Sequence, residues 1–198
     1  FDSDMYVVLG ITYLFVAFLD LLHTLAYTGM GVFPERYYAN QLWIATRIME
    51  SVALLYAVTI GKRRNTRRYA LSFTVLGTAT AIVVVTVFVT ETFPAAYRPE
   101  VGQTPFKIIG EIFVIAVLAA AALAVARDSE GYPGGTRRDI LLAIAATIAA
   151  EFFFTIYVSN YGISNIFGHL FKIVSFIYVY RAVIRQGLNN PLDFMHRR

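Results

Sequence analysis

Six apolar runs, at about 6–28, 39–60, 69–91, 106–127, 139–159 and 163–186, dominate this chain of 198 residues. A hydrocarbon core about 30 Å thick takes roughly 20 residues of helix to cross, so each run is long enough to span it. A strand reading fails, because the runs lack period-two alternation and a barrel strand needs only about 10 residues. With 58% hydrophobic and 15% charged residues and a mean hydropathy of +0.60, the chain has well below the roughly 25% charge of a soluble domain. Lipid is its main solvent and first partner. The expected fold class is therefore all-α, a polytopic bundle of six transmembrane helices.

The breaks between runs carry stop and start chemistry. Gly29-Met30-Gly31 ends the first, Thr104-Pro105 caps and opens the fourth, and Ser164 is expected to cap the sixth. Orientation follows from the cations. Lys62, Arg63, Arg64, Arg67 and Arg68 follow the second run, Arg127, Arg137 and Arg138 lie between the fourth and fifth, and Arg181, Arg185, Arg197 and Arg198 close the chain. Only Arg36 and Arg98 fall on the other side. The positive-inside bias puts the first group and both termini in the cytoplasm. Net charge of +4 is thus a topology signal, and nucleic acid is not expected as a partner. The outer loop from Thr92 to Thr104, with Pro94 and Pro99, reads as a connector.

The chain has no cysteine, which excludes disulfides, thiolate metal sites, thiol nucleophiles and cysteine-linked haem. Phosphate-binding glycine loops, Ser-His-Asp ordering and zinc-protease spacing are absent as well, so no enzyme is expected in this segment. It opens on Phe1-Asp2-Ser3-Asp4 rather than on Met, as an excised or processed segment would.

A charged side chain near the middle of a membrane helix costs about 2.5–3.5 kcal/mol on insertion scales. Nine ionisable residues nevertheless lie inside the runs: Asp20, His23, Arg47, Glu50, Lys107, Glu111, Glu151, His169 and Lys172. At a rise of ~1.5 Å per residue, all nine fall from about 5 to about 17 Å below the outer surface. Five helices place polar groups at matching depth only if those groups meet, since a charge facing lipid is left unpaired. Helical spacing puts Asp20, His23 and Tyr27 on one face, Trp43, Arg47 and Glu50 on another, then Lys107 with Glu111 and His169 with Lys172. These eleven residues are the candidate ligand-binding set. They also form ion pairs in a purely structural reading, Asp20 with Arg47 and Glu151 with Lys172. Four carboxylates against three permanent cations then leave one negative charge, which a proton on a buried carboxyl absorbs. A divalent metal on His23, His169, Glu111 and Glu151 would absorb it too. Bis-His haem ligation by His23 and His169 is a further option, and with the metal it defines an alternative function as a membrane redox protein. A di-iron site lacks its second acid-x-x-His motif. Polar groups do not continue into the cytoplasmic halves, which ranks a transporter, channel or proton path last.

The run Phe18-Leu19-Asp20-Leu21-Leu22-His23-Thr24-Leu25-Ala26-Tyr27, with Gly29-Met30-Gly31-Val32-Phe33 after it, resembles the opening signature of the third-type membrane-associated sensor domain of prokaryotic signalling proteins. Gln41-Leu42-Trp43-Ile44-Ala45 with Arg47 and Glu50, Gly102-Gln103-Thr104-Pro105-Phe106-Lys107-Ile108-Ile109 and Gly168-His169-Leu170-Phe171-Lys172-Ile173 extend the resemblance over nearly the whole chain. It implies a multi-pass sensory input module in a prokaryotic plasma membrane, acting in signal transduction. Such modules precede PAS, histidine-kinase or diguanylate-cyclase domains, including those of two-component systems, and would work as part of a homodimeric receptor. The enzyme would be the attached domain. The resemblance also implies further hydrophobic sequence upstream. Residues 1–188 are read as the membrane sensor domain and 189–198 as the start of a cytoplasmic linker to an output domain.

Overall fold

The computed structural model describes residues 4–33, 37–60, 66–128, 132, 135–156 and 162–196, with side chains described through residue 184. The basic residues Lys62 to Arg64, and also Arg36, Arg197 and Arg198, lie outside the described residues.

Each apolar run folds as a helix: α1 Asp4–Leu25, α2 Tyr38–Thr59, α3 Thr66–Val84, α4 Pro105–Arg127, α5 Thr136–Ile156 and α6 Ile163–His196. All six are long and apolar enough to cross a membrane. The chain is an all-α, multi-pass membrane protein. Its strand content among the described residues is one two-residue hairpin, β1 Tyr97–Arg98 with β2 Gly102–Gln103.

The helix ends have local causes. Past Leu25 the chain turns through Gly29 (φ 100°) and Gly31 (φ 67°), left-handed positions that glycine adopts without a Cβ penalty. Thr104 caps α4 by accepting from the Lys107 amide, and Pro105 fills the first helical position. Ser164 does not cap α6. It lies inside the first turn, and the carbonyl of Gly162 accepts the amides of Asn165 and Ile166 instead. α3 ends in a π turn over Val85–Val89. The wider turn brings Val87 into a cluster with Leu19, Tyr38 and Leu42, while Phe88 stacks on Phe33 at 4.7 Å.

Helices α1, α2, α4, α5 and α6 follow one another around the bundle, and α3 packs outside them against α1. Lipid and helix interior are equally apolar, so close backbone approach holds such helices together. Gly110 shows this: a Cβ there would lie 2.9 Å from Ile44, and its absence lets α4 settle on α2. At the end opposite the hairpin, two buried aspartates clamp neighbouring helices. Asp4 accepts from the Tyr69 hydroxyl at 2.5 Å and pairs with Arg68 at 3.3 Å, tying α1 to α3. Asp139 faces Arg181 Nε at 3.7 Å, tying α5 to α6. The sequence predicts no acid in that half of the apolar runs, and the structure places two there. α5 begins three residues earlier than its apolar run, which brings Asp139 inside the first turn.

Candidate functional site

Eight of the nine ionisable residues of the layer lie in the hairpin half of their helices, with Glu50 near the middle of α2, and they form two storeys that share Lys107. The deeper one is an ion network. Arg47 on α2 sends Nη2 to both oxygens of Asp20 on α1, at 2.6 and 2.8 Å, and Nη1 to Glu50 Oε2 at 2.5 Å. Glu50 also accepts from Lys172 Nζ on α6 at 2.6 Å and from the Tyr13 hydroxyl at 3.0 Å. On α4, Lys107 bonds Glu111 one turn away, Gln103 Oε1 at 3.0 Å and the Phe154 carbonyl at 3.2 Å. Buried pairs of this kind hold together because each partner supplies the hydrogen bonds that the other lost on leaving water. The expected Asp20–Arg47 pair is present. The expected Glu151–Lys172 pair is not, because Glu50 accepts Lys172 instead. Glu151 is fully buried, and neither of its carboxyl oxygens has a hydrogen-bond partner. Glu151 is therefore the carboxyl that the charge count of the sequence leaves without a cation.

The shallower storey is an aromatic chamber of about 30 Å³. His23, Tyr27, Trp43, Lys107 and His169 line it, together with Thr28, Tyr37, Asn40, Phe154 and Asn165. A water needs roughly 10–15 Å³ measured in this way, so the chamber admits only a few heavy atoms as it stands. Its floor is a three-ring cluster: Trp43 lies 4.4 Å from Phe154 and 5.4 Å from His169, and Phe154 lies 5.0 Å from His169, centroid to centroid. The Arg47 guanidinium lies over the indole at 4.6 Å and joins the two storeys. His23 faces His169 at 6.4 Å across the chamber.

His23 Nδ1 meets the Ala39 carbonyl at 2.8 Å. A carbonyl only accepts, so Nδ1 carries a proton and the neutral ring keeps its lone pair on Nε2. The Trp43 indole N–H is buried with no partner. A lone-pair base and a donor therefore sit on neighbouring rings, which suits a small polar molecule that both accepts and donates.

Five of the eleven candidate residues, His23, Tyr27, Trp43, Lys107 and His169, line the chamber, whereas Asp20, Arg47, Glu50, Glu111, Glu151 and Lys172 do not. Tyr13, Asn40 and Asn165 carry no charge, so a count of ionisable groups does not reach them. Their spacing was informative all the same: Tyr13 is seven residues before Asp20, Asn40 three before Trp43 and Asn165 four before His169, each on the same helix face. The Ala39 carbonyl has no sequence signal at all.

Metal and haem fit poorly. Among the described residues no three His, Asp or Glu side chains gather closely enough to hold a metal ion, so His23, His169, Glu111 and Glu151 do not form a coordination sphere. The chamber is far smaller than a macrocycle, and Trp43 packs against both imidazoles.

The family model of the membrane-associated sensor domain MASE3 matches residues 1–191. The chain belongs to this family. No curated protein matches it, and neither does any solved structure. As a MASE3 domain the protein is a membrane sensor module rather than a catalytic unit, and its sensory apparatus has to be sought in groups such as the two storeys above.

Proposed function

We propose that this MASE3 domain is the input module of a prokaryotic signalling receptor, binding a small polar ligand in the aromatic chamber and signalling through α6. In this reading the hairpin end faces outward and both termini lie in the cytoplasm, which the positive-inside bias of the cations supports. The observation that carries the reading is the position of α6. His169 lines the chamber, Lys172 one turn below closes the ion network onto Glu50, and the same helix runs without a break to His196. An occupant that moves the His169 ring moves the helix bearing Lys172. Sliding or rotation of a packed helix is a common transmission step.

A ligand shifts such an equilibrium only by binding one arrangement better than the other, and about 1–3 kcal/mol of coupling suffices. The output would be a kinase or cyclase domain beyond the sensor, in a homodimeric receptor. The test uses the full-length receptor in membranes. His169→Ala and Trp43→Phe should each abolish the signal-dependent change in output while leaving membrane insertion intact. Full response in both variants would defeat the proposal. Trp43 is the sole tryptophan of the chain, so its emission reports directly on chamber occupancy when small polar solutes are added.

A further inference from the structure

We propose that the cleft between α1 and α6 binds a membrane-dissolved amphiphile, a hydrocarbon chain carrying a hydroxyl head, whose hydroxyl donates to Asp20. This site is separate from the aromatic chamber and does not depend on it.

α1 and α6 meet at the hairpin end, where His23 faces His169. A wedge of about 580 Å³ opens between them, lined on α1 from Leu9 to Thr24 and on α6 from Phe176 to Ile184, with the Tyr13 and Phe176 rings in edge contact at 6.1 Å in its wall. Gly10 widens it: a Cβ built there meets nothing within 4 Å. The wall is apolar or aromatic apart from Asp20 and Thr24 near the apex; the Thr24 hydroxyl donates to the Asp20 carbonyl at 2.9 Å, and the Asp20 side chain keeps 24% of its exposure. In a bilayer that exposed edge meets acyl chains rather than water, which leaves its lone pairs unsatisfied.

The chemistry of the head follows from the bonds Asp20 already makes. A carboxylate offers about four lone-pair sites, and Arg47 Nη2 takes one on each oxygen. The remaining sites want a donor. They do not want a cation, because the charges of Asp20, Arg47, Glu50 and Lys172 already cancel within one connected network. A neutral hydroxyl supplies the donor. Its chain then lies along Gly10, Val16 and Val183, with Tyr13, Phe176 and Tyr180 alongside. Such an occupant wedges α1 from α6 and lies against the helix that carries Lys172.

The test is photolabelling of the domain in phosphatidylglycerol nanodiscs, using a long-chain alcohol with a diazirine in its chain and the methyl ether of the same alcohol. The alcohol should label the facing segments of α1 and α6, saturably and in competition with unlabelled alcohol. The ether should label them about tenfold less, the loss expected for one hydrogen bond to a charged acceptor. Asp20→Asn also breaks the Arg47 pair, so Gly10→Leu is the cleaner variant: a Cβ there meets nothing within 4 Å, and the longer side chain should abolish the labelling by blocking the path of the hydrocarbon chain. Equal labelling by alcohol and ether would mean that any acyl chain fills the cleft and would overturn the proposal. Labelling unchanged in Gly10→Leu, or cross-links between two copies of the chain in place of alcohol adducts, would do the same.

Discussion

Lys172 Nζ on α6 reaches Glu50 Oε2 on α2 at 2.6 Å, although Glu151 on the neighbouring helix α5 is a nearer element in the packing order and offers two unbonded oxygens. Lys172 thus links the final helix to the most buried helix of the bundle. Replacing Lys172 with Met strands Glu50 with one cation fewer, and breaking a buried pair from one side costs about 3–5 kcal/mol. Reversible unfolding in mixed micelles should show a loss of that order. The double variant Lys172→Met with Glu50→Gln should recover a large part of it, and a strictly additive result would mean that the contact carries no coupling.

Glu151→Gln should behave in the opposite way. The side chain keeps its shape and gives up no hydrogen bond seen in the structure, so stability should change by less than about 1 kcal/mol or improve. Glu50→Gln breaks contacts to Arg47, Lys172 and Tyr13. The two isosteric changes, measured side by side by thermal unfolding, should differ in the sense that Glu50→Gln unfolds earlier. Equal midpoints would contradict the assignment of the surplus carboxyl.

Arg47→Lys preserves charge and should still fail. The guanidinium holds Asp20 and Glu50 through different nitrogens while its carbon lies over the Trp43 ring at 4.6 Å. A lysine is a point charge and cannot reproduce the fork or the contact over the ring. A loss of about 2–3 kcal/mol is expected from the charge-assisted bonds, together with a shift in Trp43 emission. Wild-type stability and emission in this variant would show that charge alone suffices.

Two glycines offer a contrast. A Cβ at Gly168 would lie 2.6 Å from the Phe154 ring, so Gly168→Ala must displace a wall of the chamber, and overpacking of this kind costs about 1–3 kcal/mol. Trp43 fluorescence should change with it, because its ring sits 4.4 Å from Phe154. Gly10→Ala meets nothing and removes a flexible helix position, so it should be neutral or stabilising by about 0.5–1 kcal/mol. Unfolding midpoints that fail to separate the two variants would refute the packing argument.

Much of this protein was legible from the chain alone, because the bilayer removes the alternatives. A run of some twenty apolar residues has no stable fold in hydrocarbon other than a helix, and, with the π turn to Val89 counted into α3, the helix ends at every run but the last agree with those runs to within three residues. The shared depth of Asp20, His23, Arg47, Glu50, Lys107, Glu111, Glu151, His169 and Lys172 followed from counting a fixed rise along each helix. Partner choice did not. Whether Lys172 turns to Glu50 or to Glu151 depends on the rotation of α6 about its axis, and a helix can rotate without changing the depth of any residue. The same freedom decided that His23 and His169 flank Trp43 instead of joining Glu111 and Glu151 as ligands, and that Asp20 opens onto the α1–α6 cleft. Sequence determined which groups lie at which height, since rise per residue is a property of the backbone. Tertiary packing decided which of them touch, since that depends on the azimuth and spacing of helices far apart in the chain.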